Sequence, residues 1–232
     1  MTKITYPLLL VNFKTYAQGT GKRALALAKI CEKVMKETNI CTAVAVQPTD
    51  IRMIASEVDI PVFAQHIDSI TSGSNTGHIL IDAIKEAGAV GTLLNHSERR
   101  MQLVTIDEVL LQTKKHGLVS CVCANTPRIA GAVAALGADC CATEPPELIG
   151  SGISVSTAQP AIITETVEII RKINPKVAPL CGAGITTSED VRIALELGTK
   201  GILVASGIVK AADPETILRE MAEVSLKARD EL

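Results

Sequence analysis

Eight short apolar runs recur along the chain, and each is followed by a stretch in which apolar residues have helical spacing. The runs are continuous rather than alternating, which is typical of parallel strands covered on both faces. They are Leu8–Val11, Ala43–Val46, Val62–Ala64, Thr92–Leu94, Val119–Cys123, Cys140–Ala142, Val177–Cys181 and Ile202–Val204. This repeated order indicates an α/β fold built from strand–helix units.

The stretches between the runs carry the signals of helices. Between Ala24 and Met35, apolar residues stand three and four apart, which predicts a helix with one apolar face. Thr187 and Asp213 each precede acids or a proline, as the capping residue of a helix does. Four glycines are expected to end helices in the left-handed conformation: Gly88, Gly117, Gly137 and Gly198.

The number of units predicts the architecture. Eight units in 232 residues leave about 29 residues for each, enough for a strand, a helix and two short loops. No linker divides the chain, so we expect residues 1–232 to form a single domain. Eight such units can close into a (β/α)8 barrel or stay open as a doubly wound sheet. The open sheet would need a glycine-rich phosphate fingerprint after its first strand, where Asn12, Phe13 and Lys14 stand instead. We therefore predict an eight-stranded parallel (β/α)8 barrel.

The composition argues against several classes of partner. The chain has 23 Lys and Arg residues against 25 Asp and Glu residues. Because positive charge does not predominate, the composition does not favour binding to nucleic acid or to an anionic membrane. Aromatic residues make up 2%, too few for the stacking surfaces that bind single strands. The early apolar run Leu8–Val11 is too short for a signal-peptide core or a membrane span. We expect a cytoplasmic protein with no nucleic-acid and no membrane partner.

Seven cysteines, an odd number in a chain of this length, are expected to be reduced thiols. Cys121 and Cys123 are separated by one residue, and Cys140 and Cys141 by none. Neither spacing is that of a zinc site, and no histidine lies near them in the sequence. We interpret the cysteines as small buried hydrophobic residues and predict no metal site.

The active site of a barrel is built from the loops at the carboxyl ends of its strands. Polar residues that directly follow the apolar runs are therefore the candidates for chemistry. They are Asn12, Lys14, Asn95, His96, Ser97, Glu98 and Glu144. The turns 182–184 and 205–207 consist of small residues whose backbone N–H groups can approach a ligand closely. Two such turns on adjacent strands favour a phosphate site.

Glu144 is the candidate base. It lies between Thr143 and Pro145 on no helical face, so the strand end would hold its carboxylate over the barrel mouth. The segment from Pro145 to Gly152 has prolines at one end and glycines at the other, as expected of a mobile lid. A base beneath a lid that excludes water is suited to proton abstraction.

His96 and Lys14 are the candidate electrophile and cation. We expect His96 to open a helical turn over 97–100, where the helix dipole disfavours imidazolium and keeps the ring neutral at pH 7. Lys14 stands beside Phe13 and Tyr16 rather than other charges, and is placed to stabilise a developing oxyanion. The other three histidines are expected to be structural or to lie at an interface.

Four motifs at four strand ends together resemble the triosephosphate isomerase family, in particular its short archaeal form. They are Asn12-Phe13-Lys14-Thr15-Tyr16, Asn95-His96-Ser97-Glu98-Arg99-Arg100, Glu144-Pro145-Pro146-Glu147-Leu148-Ile149-Gly150 and Leu203-Val204-Ala205-Ser206-Gly207. The motifs occur in the family's order and the similarity covers essentially the whole chain. Any one motif alone would be only moderately specific, whereas the four together are highly specific.

The resemblance implies a TIM barrel that interconverts dihydroxyacetone phosphate and D-glyceraldehyde 3-phosphate in glycolysis and gluconeogenesis. This family is a known case of a glutamate base paired with a neutral histidine. Glu144 would remove the proton beside the carbonyl, and His96 would polarise the carbonyl and move protons between the two oxygens of the enediol(ate). Lys14 would stabilise negative charge, and Glu98 would orient Lys14 or Asn12.

The resemblance also implies how the substrate is held. Asn12 and Phe13 would contribute with Lys14 to substrate binding. Backbone N–H groups would hold the phosphate at Ile149, Gly150, Gly184, Ala205 and Ser206. The family's reaction implies no metal and no organic cofactor.

The chain departs from longer family members in two respects. They carry a Trp in the lid and a Gly-Gly pair after the eighth strand, where this chain has Glu147 and Ala205-Ser206. The chain is also shorter in its middle, so shortened helices are expected to expose apolar surface. In the archaeal-type relatives such surface supports a tetramer, so we expect a homotetramer, with a dimer as the alternative.

Two other functions stay open on the sequence. One is a different phosphate-binding barrel enzyme, such as an aldolase with a Schiff-base lysine. That enzyme would need an interior lysine, often on the sixth strand, which here ends in Glu144. The other is a non-catalytic barrel that binds phosphosugars, which would have no need of a base.

Overall fold

A closed barrel of eight parallel strands forms the centre of the protein in a computed structural model, which describes residues 4–145, 148 and 154–230. The strands pair in chain order, and the eighth pairs with the first. They are β1 (Leu8–Asn12), β2 (Cys41–Val46), β3 (Val62–Ala64), β4 (Gly91–Leu94), β5 (Val119–Ala124), β6 (Cys140–Thr143), β7 (Ala178–Gly182) and β8 (Gly201–Val204). Each end lies within two residues of the predicted run, and the predicted (β/α)8 barrel is confirmed.

Helices connect the strands and cover the outside of the barrel. They are α1 (Lys22–Thr38), α2 (Ile51–Ala55), α3 (Ile81–Glu86), α4 (Leu103–His116), α5 (Pro127–Leu136), α6 (Val155–Ala158), α7 (Pro160–Ile173), α8 (Ser188–Glu196), α9 (Ser206–Val209) and α10 (Pro214–Asp230), with a 3-10 turn over Ala17–Gly19. The start predicted at Thr187 is confirmed, because its hydroxyl accepts the N–H of Asp190 at 3.2 Å. Gly117 and Gly137 end α4 and α5 in the left-handed conformation, as predicted.

The helix predicted directly after His96 is not present. Residues 97–99 form a turn in which the N–H of Arg99 donates to the carbonyl of His96 at 2.8 Å. The helix α4 begins only at Leu103, and its buried face starts at Ile106. The run 97–100 is polar and charged and offers no apolar side chain to pack against the barrel. The prediction that a helix dipole acts on His96 was therefore wrong.

Side chains fill the barrel interior in a layer separate from the helix-facing core. The interior layer is made mainly of Leu, Ala and Cys, together with Phe63. The ring of Phe63 needs Gly91 on the neighbouring strand, since a Cβ at Gly91 would lie 2.5 Å from its Cε1 atom. A small residue thus makes room for a large one between two neighbouring strands of the barrel. The result is a solid core that leaves the carboxyl-end loops free for a site.

All seven cysteines are buried and unpaired, as the sequence predicted. Burial raises the pKa of the Cys31 and Cys140 thiols to about 12. Burial also raises the pKa of Cys181, which lies beside the turn after β7. Since the thiolate is the nucleophile, these thiols are unreactive in the folded chain.

Candidate active site

A pocket opens at the carboxyl ends of the strands. Its walls come from the loops after β1, β4, β6, β7 and β8. It is lined by Asn12, Lys14, Tyr16, His96, Glu144, Ala183, Gly184, Ile185, Leu203, Val204, Ala205 and Ser206. Eight of these twelve residues were candidates from the sequence, singly or within the two small-residue turns, so residues up to 194 positions apart meet at one mouth.

Glu144 leaves the end of β6 and is 5% exposed. Its backbone N–H donates to the carbonyl of Ala124 at 2.8 Å, which fixes where the side chain starts. The side chain then crosses Gly182, where a Cβ would lie 2.6 Å from the Glu144 Cγ atom. Only glycine leaves room for the carboxylate in this position.

The Oε2 atom of Glu144 is buried, and it has no hydrogen-bond partner within the described residues. Buried polar atoms are almost always paired, so an unpaired carboxylate oxygen in a pocket needs a specific reason. Binding of a ligand that presents a proton to this oxygen would be such a reason. A carboxylate in this arrangement is able to accept a proton from a bound ligand.

His96 faces Glu144 across the pocket and is 7% exposed. Its Nε2 atom lies 3.6 Å from Oε2 of Glu144. On the other side of the ring, Nδ1 accepts the backbone N–H of Glu98 at 3.2 Å. A nitrogen that accepts a hydrogen bond carries no hydrogen, so this arrangement places the hydrogen of a neutral ring on Nε2. The turn after His96 thus assigns the hydrogen of the neutral ring to Nε2 through one N–H group, without a helix.

Lys14 follows β1 in the left-handed conformation, with φ 48°. Its Nζ atom lies 2.9 Å from Oε1 of Glu98, and its own backbone N–H donates to Oδ1 of Asn12 at 3.0 Å. The Lys14 side chain is 10% exposed, whereas that of Glu98 is 58% exposed. Glu98 therefore contacts Lys14, which is one of the two residues, with Asn12, that the resemblance implied Glu98 would orient.

Gln65, the first residue after β3, supports this loop and was missed by the sequence analysis. Its side-chain amide lies 2.9 Å from the Lys14 carbonyl and 3.3 Å from Oδ1 of Asn12. The rule that selected the other candidates, a polar residue directly after a strand, applies to Gln65 as well. Tyr16 was also missed as a wall of the pocket, and Lys210 lies 4.3 Å from the centre of its ring.

The two small-residue turns lie against each other. Ala183 and Gly184 after β7 have φ values of 72° and 71°. A Cβ at Gly207, in the turn after β8, would lie 2.6 Å from the carbonyl oxygen of Ile185. The close approach brings Gly184, Ala205 and Ser206 together at one end of the pocket.

A buried carboxylate braces the loop after β7. Burial opposes ionisation of Asp190, but the hydrogen bonds that it accepts from the N–H groups of Thr186 and Thr187 lower its pKa. On α6, the hydroxyl of Thr157 donates to the Asp190 carboxylate at 3.2 Å, and that of Ser156 donates to the Asp190 backbone carbonyl at 3.0 Å. The sequence signalled Asp190 only as part of a helix cap, so its link to α6 was not predicted.

One predicted substrate-binding residue, Phe13, does not line the pocket. The side chain of Phe13 is fully buried in the apolar core beneath the loop, where Gly19 packs against it. Ile149 and Gly150 lie outside the described residues. Of the predicted lid from Pro145 to Gly152, only Pro145 and Leu148 are described.

Neither a metal-binding cluster nor a membrane-spanning helix occurs among the described residues. No cluster of three or more His, Cys, Asp or Glu side chains in 4–145, 148 and 154–230 is arranged to hold a metal ion. Within the same ranges, no helix has both the length and the apolar character needed to cross a membrane.

Comparison with known proteins shows the family. The family model for triosephosphate isomerase matches residues 7–221. The triosephosphate isomerase of Methanosarcina barkeri is 53% identical over 215 residues, which cover 93% of this chain and 97% of that protein. That of Methanocaldococcus jannaschii is 52% identical over 214 residues, covering 92% and 98%.

A solved structure shares the fold. Triosephosphate isomerase from Bartonella henselae superposes with a TM-score of 0.74, covering 95% of this chain and 99% of that one, at 18% identity. At this identity the likeness establishes only the barrel. The sequence matches reach further, and on them the chain belongs to the triosephosphate isomerase family.

Proposed function

We propose that this protein interconverts dihydroxyacetone phosphate and D-glyceraldehyde 3-phosphate through an enediol(ate). The observation that carries the proposal is the pairing of Glu144 with His96. An unpaired, buried carboxylate oxygen lies 3.6 Å from an imidazole nitrogen that carries a hydrogen, in a pocket that also contains Lys14. A base, a neutral hydrogen-bond donor and a cation are the groups that proton transfer beside a carbonyl requires.

Each group has one task in the proposed reaction. Glu144 takes a proton from the carbon next to the carbonyl and returns it to the neighbouring carbon. His96 donates from Nε2 to the carbonyl oxygen and moves protons between the two oxygens of the intermediate. Lys14, oriented by Glu98, stabilises the negative charge, and Asn12 holds the substrate. The reaction moves protons only, so it calls for neither a metal nor an organic cofactor.

We place the substrate phosphate between the two small-residue turns. Backbone N–H groups of Gly184, Ala205 and Ser206 would hold it, together with those of Ile149 and Gly150. The contact between Gly207 and the Ile185 carbonyl supports this placement, because it keeps the two turns close. Phe13 would act from beneath, by supporting the loop that carries Lys14.

A coupled assay tests the proposal. The purified protein should produce glyceraldehyde 3-phosphate from dihydroxyacetone phosphate, and the reverse, with no added metal or cofactor. Binding of either triose phosphate without turnover would indicate a non-catalytic barrel. A covalent adduct trapped by borohydride in the presence of substrate would indicate a Schiff-base aldolase.

We further propose that residues 1–232 form one domain that acts in glycolysis and gluconeogenesis in the cytoplasm. The seven unpaired cysteines support a reducing compartment. Fractionation of the source cells followed by the same assay would test this location.

We propose a homotetramer as the working form. The helices α2 and α3 are short, but the most exposed large apolar side chains among the described residues lie on α4. Leu103, Val104 and Leu111 on α4 are 54%, 60% and 64% exposed. Val104 and Leu111 are two turns apart on one face of the helix, so a second copy could cover both.

The double variant Val104→Lys/Leu111→Lys tests this surface. Each change puts a charge where an apolar side chain would be buried, so the dissociation constant should rise by about 100-fold or more. Light scattering over a concentration series would show smaller species for the variant than for the wild type. The variant Ile173→Lys, at a residue 45% exposed on α7, is the control and should leave the mass unchanged. A monomeric wild type, or a double variant of unchanged mass, would contradict the proposal.

A further inference from the structure

Asn95 stands directly before His96, and the reaction described above gives it no task. It follows β4, is 6% exposed and has a φ of 56°. Four non-glycine residues have a positive φ in the described ranges: Lys14, Asn39, Asn95 and Ala183. A residue with a Cβ is rarely stable in this conformation, and asparagine tolerates it better than most. At Asn95 the chain therefore turns sharply out of the strand and sends His96 into the pocket.

The side chain of Asn95 fixes this turn at two points. Its Nδ2 group donates to the carbonyl of Cys123 on β5 at 2.9 Å, and its Oδ1 atom accepts the N–H of Met101 at 2.9 Å. The last register pair between the strands is Leu94 with Val122, so the amide binds β5 one residue beyond it. The side chain thus continues the strand contact after the backbone has turned away.

The same residue also closes the loop through its backbone. The carbonyl of Asn95 accepts a hydrogen bond from Arg100 at 3.2 Å. Inside the loop of residues 95–101, the N–H of Glu98 binds Nδ1 of His96. A shift of this loop would therefore move both the imidazole and the N–H group that sets its tautomer.

From these contacts we infer that Asn95 is a positioning residue, which holds the His96 imidazole and its neutral tautomer in place for proton transfer. The Cys123 residue to which it binds also places its thiol against the Glu144 carboxyl, so one point on β5 supports both sides of the pocket. The inference rests on the proposed function for its kinetic readout. Asparagine is suited to this position because it combines the left-handed backbone with one donor and one acceptor.

The variant Asn95→Gly tests the two side-chain hydrogen bonds separately from the backbone conformation. Glycine adopts a positive φ freely, so the turn remains possible while both side-chain bonds are lost. We expect kcat to fall by about 10²-fold with KM near the wild-type value, because misplacing a reacting group by about 1 Å has an effect of this size. The ¹⁵N resonances of the His96 ring, assigned by their loss in His96→Asn, should change from one tautomer to a mixture.

Asn39→Gly is the matched control. Asn39 also has a φ of 56°, but it is exposed at the end of α1, far from the pocket. The Asn39→Gly variant should leave kcat and the His96 resonances unchanged. An equal loss of kcat in both variants would overturn the inference, because the loss would then come from placing glycine at a positive φ and not from the two side-chain bonds. Wild-type kcat and resonances in Asn95→Gly would overturn it as well.

A second variant decides the question if Asn95→Gly does not fold. Asn95→Asp keeps the shape and the acceptor for Met101 but places an oxygen against the Cys123 carbonyl. It should lower kcat and alter the ring resonances, and wild-type values would overturn the inference. If the wild type does not isomerise triose phosphates, the proposed function fails, and the resonances alone then decide the role of Asn95.

Discussion

Replacing Glu144 with glutamine should lower the isomerisation rate by about 10²–10⁴-fold, the usual contribution of a general base. Glutamine has the shape of glutamate and fits above Gly182, but its amide cannot accept a proton. Isomerisation should be measured by the coupled assay in both directions. Exchange of the substrate's C–H proton with D₂O should fall by a similar factor, because the base is needed for both processes.

The stability of this variant separates loss of the base from loss of the fold. The buried, unpaired carboxylate oxygen is costly to the folded state, so Glu144→Gln should unfold at the same temperature as the wild type or higher. Glu165→Gln, at an exposed residue of α7, is the control and should retain full activity. Undiminished isomerisation by pure, folded Glu144→Gln would show that the base lies elsewhere.

His96→Asn should lower isomerisation by about 10²–10⁴-fold, the usual contribution of a group that transfers protons as a general acid and base. Asparagine can still donate a hydrogen bond, but it cannot give up one proton and accept another. Protons would then no longer pass between the two oxygens of the intermediate. In D₂O, Glu144 would still remove the carbon-bound proton, and the intermediate would return more often to the starting triose phosphate.

The isotope distribution gives this prediction its specific readout. By ¹H NMR, deuterium in the remaining substrate relative to deuterium in the product should be higher for His96→Asn than for the wild type. His116→Asn is the control, since His116 lies outside the barrel and binds Asp82 at 3.0 Å. An unchanged ratio in His96→Asn with normal turnover would contradict the role of His96.

The sequence was sufficient for the barrel and for most of the pocket, because both depend on local patterns. Continuous apolar runs identify buried strands, and the polar residue after each run necessarily lies at the carboxyl end. Glu144 and Lys14 were found in this way. The turn after His96 was wrongly predicted to begin a helix, because the charged residues 97–100 have no apolar periodicity with which to distinguish a helix from an isolated turn.

The contacts that support the site residues could not be predicted from the sequence, for a different reason. The amides of Gln65 and Asn95 bind Lys14, in the loop after β1, and Cys123, on β5. Such bonds depend on the register between strands and on side-chain direction, which no single stretch of sequence contains. Asn95 was recognised as a strand-end residue, but its role followed only from the two atoms that it binds.

The left-handed backbone at Lys14 and Ala183 bears on any attempt to engineer a more robust enzyme. This conformation costs a residue with a Cβ roughly 1–2 kcal/mol, and both residues line the pocket. Glycine would relieve the cost at either position, but it would remove the ammonium group of Lys14 or loosen the turn beside Gly184. Heat resistance and turnover therefore make opposite demands on these two positions. Stabilising substitutions belong on the outer helices, where a change in the free energy of unfolding leaves the geometry of the pocket intact.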